Sequence, residues 1–93
     1  MILNLNDIFV EFEKLKNEKK AIEMSAYMKN QFAFLGIQAN PRKEIENKIF
    51  KSVSKEDLDF KFTDKCYKNK YREFQYAAVD YLNFKKKYLN MSH

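Results

Sequence analysis

Apolar residues recur along this chain at three- and four-residue intervals, broken by short polar stretches. Leu5, Ile8, Phe9, Phe12 and Leu15 make the first stripe, with Glu11, Glu13, Lys14 and Lys16 off it. That spacing predicts a helix from about Asn6 or Asp7 to Asn17. Asn4 or Asn6 can cap it, and Asp7 suits its electropositive first turn. A second helix is predicted from Lys19 or Lys20 to Phe32, with Ala21, Met24 and Met28 on one face. The connection between the two is very short, which predicts antiparallel neighbours. Ile45, Ile49 and Val53 predict a third helix, from Asn40-Pro41 to near Ser52, with Lys48, Lys51 and Lys55 as a basic row off its stripe. Ser54-Lys55-Glu56-Asp57 reads as the start of a fourth helix that carries Leu58, Phe62 and Cys66. Leu58 to Thr63 also alternates as a strand would, but no other segment offers it a partner. The fifth helix is predicted from about Tyr71 to Leu89, with Phe74, Ala77, Ala78, Tyr81, Leu82 and Leu89 on its core side. Lys85, Lys86 and Lys87 fall in its last turns, where cations suit the negative helix end. Asn90 to His93 are expected to fray.

The main break lies between the second and third helices. It holds the only glycine, Gly36, and the only proline, Pro41. Gly36 is expected to take the left-handed turn that ends a helix, at no Cβ cost. Asn40 is expected as the cap of the next helix and Pro41 as its first residue, where a missing N–H does no harm. Phe34-Leu35-Gly36-Ile37 is too apolar for a solvated loop and is expected to pack beneath neighbouring helices. The fold class expected is therefore all-α, about five helices in antiparallel pairs, forming a single helical domain over residues 1–93. Near absence of Gly and Pro argues against a sandwich or barrel, which turn every ~8–12 residues.

Composition agrees with a folded chain. Hydrophobic residues make up 45% and aromatic residues 16% of the 93. A chain of this length buries somewhat over ~60% of its unfolded surface, enough for one modest core. The lone cysteine, Cys66, excludes an internal disulfide and reads as a small buried apolar residue. The first residues lack the basic and apolar regions of a signal peptide, and no apolar run nears the ~20 residues that span a membrane. A cytoplasmic protein without membrane contact is expected.

Charge changes the picture more than composition does. Residues 1–60 carry ten Lys/Arg and ten Asp/Glu, whereas residues 61–93 carry eight against three. The whole net charge of +5 thus lies in the last third. Basic surface attracts phosphate backbones, although a Lys-rich composition also yields solvated basic faces. Catalytic chemistry is poorly provided for. His93 is the only histidine and the last residue. One glycine cannot build a phosphate loop or a dinucleotide fingerprint. The acid pairs Glu44/Glu46 and Glu56/Asp57 are spaced so that they do not face each other on one helix. Arg72 and Glu73 read as a neighbouring ion pair. No metal, no cofactor and no self-sufficient active site is expected.

Tyr27, Lys29 and Asn30 stand out at the end of the second helix. They read either as an interfacial tyrosine with solvated neighbours or as an aromatic-plus-basic patch against a nucleic-acid backbone. Arg42 and Lys43, at the start of the third helix, can join such a patch, where a helix N-terminus offers free N–H groups to a phosphate.

Two blocks carry a family resemblance. Ala26-Tyr27-Met28-Lys29-Asn30, Phe32, Phe34-Leu35-Gly36-Ile37 and Pro41-Arg42-Lys43 form the first. Arg72-Glu73-Phe74-Gln75-Tyr76-Ala77-Ala78-Val79-Asp80-Tyr81-Leu82 form the second. Together they resemble the N-terminal part of the DNA alkylation repair enzymes, the AlkD-like glycosylases. The resemblance implies a right-handed superhelical array of HEAT-like or ARM-like repeats whose concave basic face holds duplex DNA. It implies excision of alkylated purines, N3- and N7-alkyl bases among them. Tyr27 matches a family tyrosine near the DNA, with Lys29 and Asn30 beside it. The family's catalytic aspartate and lesion-facing tryptophans follow the second block, so the resemblance implies a truncated fragment without catalytic residues. Tyr67 stands where the family usually has Trp, and Lys70-Tyr71 where Pro-Glu usually precedes Arg72. The alternative is a non-enzymatic helical protein–protein interaction domain, with homodimers forming through the exposed end of an incomplete array.

Overall fold

A computed structural model describes the backbone of residues 4–91 and the side chains of residues 4–87. Among the described residues there are five helices and no strand. They are α1 (Asp7–Lys14), α2 (Glu18–Tyr27), α3 (Ala39–Ser52), α4 (Phe60–Tyr67) and α5 (Arg72–Met91). The one departure from helix and loop is an isolated bridge between Ala33 and Tyr71. No described helix is long and apolar enough to cross a membrane.

The first stripe folds as its spacing predicts, but α1 ends at Lys14. Ile8 and Phe12 are buried, and so is Leu5 just before the helix. Leu15 lies beyond the end and is exposed. The chain leaves the helix early because Asn17 must be extended to cap α2. Its side chain accepts from the Lys20 N–H at 3.0 Å, and its own N–H donates to the Leu35 carbonyl at 2.9 Å.

The segment after α2 departs most from expectation. The second helix ends at Tyr27, five residues before Phe32, and Gly36 ends no helix. Gly36 lies in the extended linker at φ +97°, against the start of α2. A Cβ there would sit 2.0 Å from the Asn17 carbonyl oxygen and 2.8 Å from the Ala21 nitrogen. Close approach of backbone to backbone is what requires a glycine at this position. The linker itself is as dry as its apolarity predicts, since Phe34, Leu35 and Ile37 are all buried. Gln38, not Asn40, is the extended residue before α3, so Asn40 and Pro41 lie inside its first turn. Proline is harmless there, because first-turn N–H groups have no partner within the helix.

The fourth helix starts later than Ser54. Asp59 is its cap and accepts from the Phe62 N–H at 3.0 Å. The alternating stretch from Leu58 thus resolves into a cap and a helical turn. The core is built where α5 packs against both α3 and α4, and where α1 packs against α3. Ile49 and Phe50 of α3, Phe62 and Cys66 of α4, and Phe74, Ala77, Ala78 and Tyr81 of α5 meet there with Ile8 and Phe12. Tyr81 is fully buried, edge-on to Phe62 at 5.2 Å between centroids, and its hydroxyl accepts from the Asp59 N–H at 2.9 Å. Burial pushes the Cys66 thiol up to about 12, so it behaves as an inert apolar residue.

The helix α2 is not among the closely packed pairs, and none of its residues is fully buried. The expectation that α1 and α2 pack as antiparallel neighbours is therefore corrected: α1 packs closely on α3 instead. The start of α2 is tied to the linker instead. Lys85 is corrected too. It is buried, and its ammonium donates to the carbonyls of Val53, Ser54 and Glu56, closing the turn after α3 rather than the end of α5. Leu89 has its side chain outside the described residues. Asn90 and Met91 continue α5, and Ser92 and His93 lie outside the described residues.

Candidate nucleic-acid interface

The end of α2 carries three of the residues that the sequence singled out. Tyr27 is its last helical residue and is 88% exposed. The next residues close a Schellman turn: the Lys29 N–H donates to the Ala26 carbonyl at 3.0 Å, and the Asn30 N–H to Ser25 at 2.7 Å. Lys29 and Asn30 hold φ of 56° and 58°, the left-handed region. Lysine thus occupies the position that glycine usually takes. Asparagine tolerates that conformation, but lysine bears a steric cost of roughly 1–2 kcal/mol. Ser25 Oγ donates to the Phe32 carbonyl at 3.1 Å and pins the exit of the turn. Lys29→Gly is expected to raise stability by about 0.5–1 kcal/mol. Urea unfolding of the variant checks this, and an unchanged or lower midpoint would contradict the strain.

The structure separates the other pair. Lys43 is exposed on α3, whereas Arg42 is buried. Arg42 Nη1 donates to Glu46 Oε2 at 2.7 Å and to Asp80 Oδ2 at 2.6 Å. Burial alone would lower its pKa, but Glu46 and Asp80 outweigh that and hold it above the ordinary value. Its plane also lies over Tyr76, 5.1 Å from the ring centroid. Tyr76 in turn lines one groove with Tyr27. Through that ring, Arg42 braces the wall beside Tyr27 while its own guanidinium is engaged within the protein.

The sequence matches the DNA alkylation repair enzymes over residues 8–92, which takes in all of these positions. The chain belongs to that family. Membership gives it a general role in the repair of alkylated DNA. No curated protein and no solved structure matched the chain.

In this alkylation-repair chain, the side chain that fixes the linker is Glu73. It is wholly buried on α5. Its carboxyl oxygens accept from the N–H groups of Leu35, Gly36 and Ile37 at 2.9, 3.0 and 3.1 Å. An extended apolar segment inside a helical protein has no ladder to satisfy its backbone, and Glu73 supplies the acceptors. The expected Arg72–Glu73 ion pair is therefore absent. Arg72 donates to Gln75 Oε1 at 2.6 Å, and its guanidinium lies between the rings of Phe32, at 4.1 Å, and Tyr76, at 5.3 Å.

Glu46 is the second buried acid that sequence reasoning missed. It shares Arg42 with Asp80 across the α3–α5 joint. Burial and the neighbouring Asp80 raise its pKa to about 8. Asp80 goes the other way: burial opposes it, but hydrogen bonds from Glu46 and Arg42 hold it below the usual carboxylate range. The joint thus holds one neutral acid, one carboxylate and one guanidinium near neutral pH. Among the described residues no cluster of His, Cys, Asp and Glu is placed to hold a metal ion.

Proposed function

We propose that this member of the family binds duplex DNA through the turn at the end of α2, and that it takes part in removing alkylated purines with N3- or N7-alkyl groups. The supporting observation is Tyr27, fully presented to solvent beside Lys29 and Asn30 in a strained left-handed turn. Backbone strain beside an exposed aromatic is the arrangement that contact surfaces use. Lys29 and Lys43 would meet phosphates, Asn30 would donate hydrogen bonds to them, and Tyr27 would lie along the sugar–phosphate edge. Arg42 positions the tyrosine wall rather than touching DNA.

Breaking the glycosidic bond of a cationic base needs a carboxylate beside the developing positive charge on the sugar and a placed water. On α5 both acids are engaged, Glu73 by the linker and Asp80 by Arg42. We therefore assign to these 93 residues the holding of DNA and not hydrolysis. Binding through so few phosphates should be weak and steeply salt-dependent.

A salt titration on a duplex carrying 7-methylguanine tests this. Tyr27→Ala with Lys29→Ala is expected to weaken binding at least tenfold with an unchanged melting profile. Release of 7-methylguanine by the chain itself would refute the assignment of holding alone. Absence of binding at low salt, together with a stable dimer, would favour a protein-interaction domain.

A further inference from the structure

A groove of about 280 Å³ runs between α3 and α5. Lys43, Glu46, Asn47 and Phe50 line it from α3, at steps of three, one and three residues. Asp80, Asn83, Phe84 and Lys87 line it from α5 at the same steps, so each helix turns a single face to it. The two helices run parallel: Arg42 meets Asp80, Phe50 meets Phe84, and Val53 meets Lys85. Lys43, which acts on Asp80, therefore stands at one end and Lys87 at the other, with the two asparagines between them. Seven residues of helix separate Asp80 from Lys87, about 10 Å along the axis, so both long lysine side chains can reach inward to one group held at the middle.

What the groove offers an occupant is donors. Lys43, Asn47, Asn83 and Lys87 are all exposed, and among the described residues none of these side chains is engaged by a hydrogen bond or an ion pair. The acids in the wall are already occupied. Asp80 is held by Arg42 Nη1 at 2.6 Å. Glu46, whose pKa burial raises to about 8, is neutral at pH 7. Two free lysines and the guanidinium behind them thus outweigh one carboxylate. Phe50 is buried beneath, 5.7 Å from Phe84 between centroids, and an apolar floor strengthens the pull of those charges. The groove also continues the face described above. Lys43 adjoins Arg42, Arg42 lies over Tyr76, and Tyr76 lines the neighbouring groove with Tyr27.

We propose that this groove holds a phosphate of a nucleic-acid backbone, with the Asn47 and Asn83 amides donating to its oxygens and Lys43 and Lys87 closing on it from the two ends. Lysine and asparagine are among the side chains that contact backbone phosphates. This rests on the proposed duplex binding and extends it along α3 and α5, away from the turn after α2. The grip is linked to a proton. Ionising Glu46 adds a carboxylate to the wall and repels the phosphate. The groups around Glu46 are Arg42 and Lys43 on its own helix, Asp80 and Lys87 on α5, and Cys66 on α4. Asp80 is already ionised at neutral pH and Cys66 stays a thiol, while α1 brings the apolar Ile8 and Phe12 to this core.

The test follows the side-chain amide NMR signals of Asn47 and Asn83 while a short duplex, or inorganic phosphate, is added. Both signals are expected to move with the duplex, and with inorganic phosphate only at far higher concentration. Lys87→Gln is expected to weaken duplex binding several-fold and to lower the salt slope by about 1. Asn83→Asp, at an exposed position, is expected to weaken it about tenfold by setting a carboxylate against the phosphate. From pH 7 to pH 8.5 wild type is expected to lose up to about fourfold in affinity and Glu46→Gln to stay level, with both shown to be folded by circular dichroism. Amide signals that both probes leave unmoved overturn the site, as does Lys87→Gln with full affinity and salt slope, even where Tyr27→Ala with Lys29→Ala weakens binding. Movement with inorganic phosphate alone overturns the nucleic-acid backbone as its source. Equal losses with pH in wild type and Glu46→Gln overturn the link to the proton. Failure to bind any duplex at low salt instead defeats the duplex-binding reading on which the proposal rests.

Discussion

Glu73→Ala is expected to cost at least ~4 kcal/mol and to leave little cooperatively folded protein at 37 °C. The carboxyl group accepts from three consecutive linker N–H groups, and the residue is wholly buried. A buried donor left without a partner costs ~1–3 kcal/mol, so three cost several. A domain of this size has ~5–15 kcal/mol in total. Glu73→Gln tests the same point more gently. Its carbonyl oxygen still accepts, but its NH2 faces linker N–H groups, donor against donor. An intermediate loss is expected. Arg72→Ala should cost less than Glu73→Ala, and the two should not couple strongly, because Arg72 bonds to Gln75 and stacks on Phe32 instead of pairing with Glu73. Urea unfolding followed by circular dichroism gives all of these values. A loss under ~1 kcal/mol for Glu73→Ala would mean that the linker N–H groups find other acceptors.

The helices were legible because period 3.6 is written in apolar residues, and α5 above all follows its stripe. Fold class, the dry linker and the buried thiol could be read in that way. The family, too, was legible, since its two blocks carry specific residue strings. What escaped was every buried charge, and for one physical reason. Glu73, Glu46 and Lys85 each occupy a core-facing step of a helix: Glu73 precedes Ala77 and Tyr81 at four-residue spacing, Lys85 follows Tyr81, and Glu46 precedes Ile49 and Phe50. The spacing marked them as interior, but their partners come from elsewhere in the fold. Glu73 meets a linker 36 to 38 residues away, Asp80 bonds an arginine 38 away, and Lys85 reaches carbonyls 29 to 32 away. Local pattern cannot supply those distances. Gly36 misled for a similar cause. Its left-handed φ was legible, but the demand came from backbone it approaches, while Lys29 took the helix-ending turn. At the candidate interface, the exposure of Tyr27 could not be read from spacing alone.

Stability should fall as pH rises from 5 to 8, the reverse of the usual trend on leaving acid, and Glu46 is the cause. Burial, the largest influence, and Asp80 raise its pKa from 4.5 to about 8. Between those values the folded chain keeps a proton that the unfolded chain has released. Native protein therefore loses stability with rising pH across that window. Asp80 works in the opposite sense. Its pKa is lowered, so its contribution is present above its unfolded value and lost in stronger acid. The two together place the maximum near pH 4–5. Arg42 does not cancel the Glu46 effect, because one guanidinium serves two acids. The remaining charge acting on the joint, Lys43, acts on Asp80. Glu46→Gln keeps a neutral group of the same shape and removes the titration. Wild type is expected to lose roughly 2–4 kcal/mol between pH 5 and pH 8, and Glu46→Gln to lose little. Urea unfolding at unit pH steps measures both, and parallel profiles would clear Glu46 of the role. The consequence reaches beyond stability. Arg42 lies over Tyr76, and Tyr76 walls the groove with Tyr27. Ionising Glu46 places a second carboxylate on Arg42, so a strained α3–α5 joint at alkaline pH should disturb the face proposed to meet DNA before the whole fold gives way.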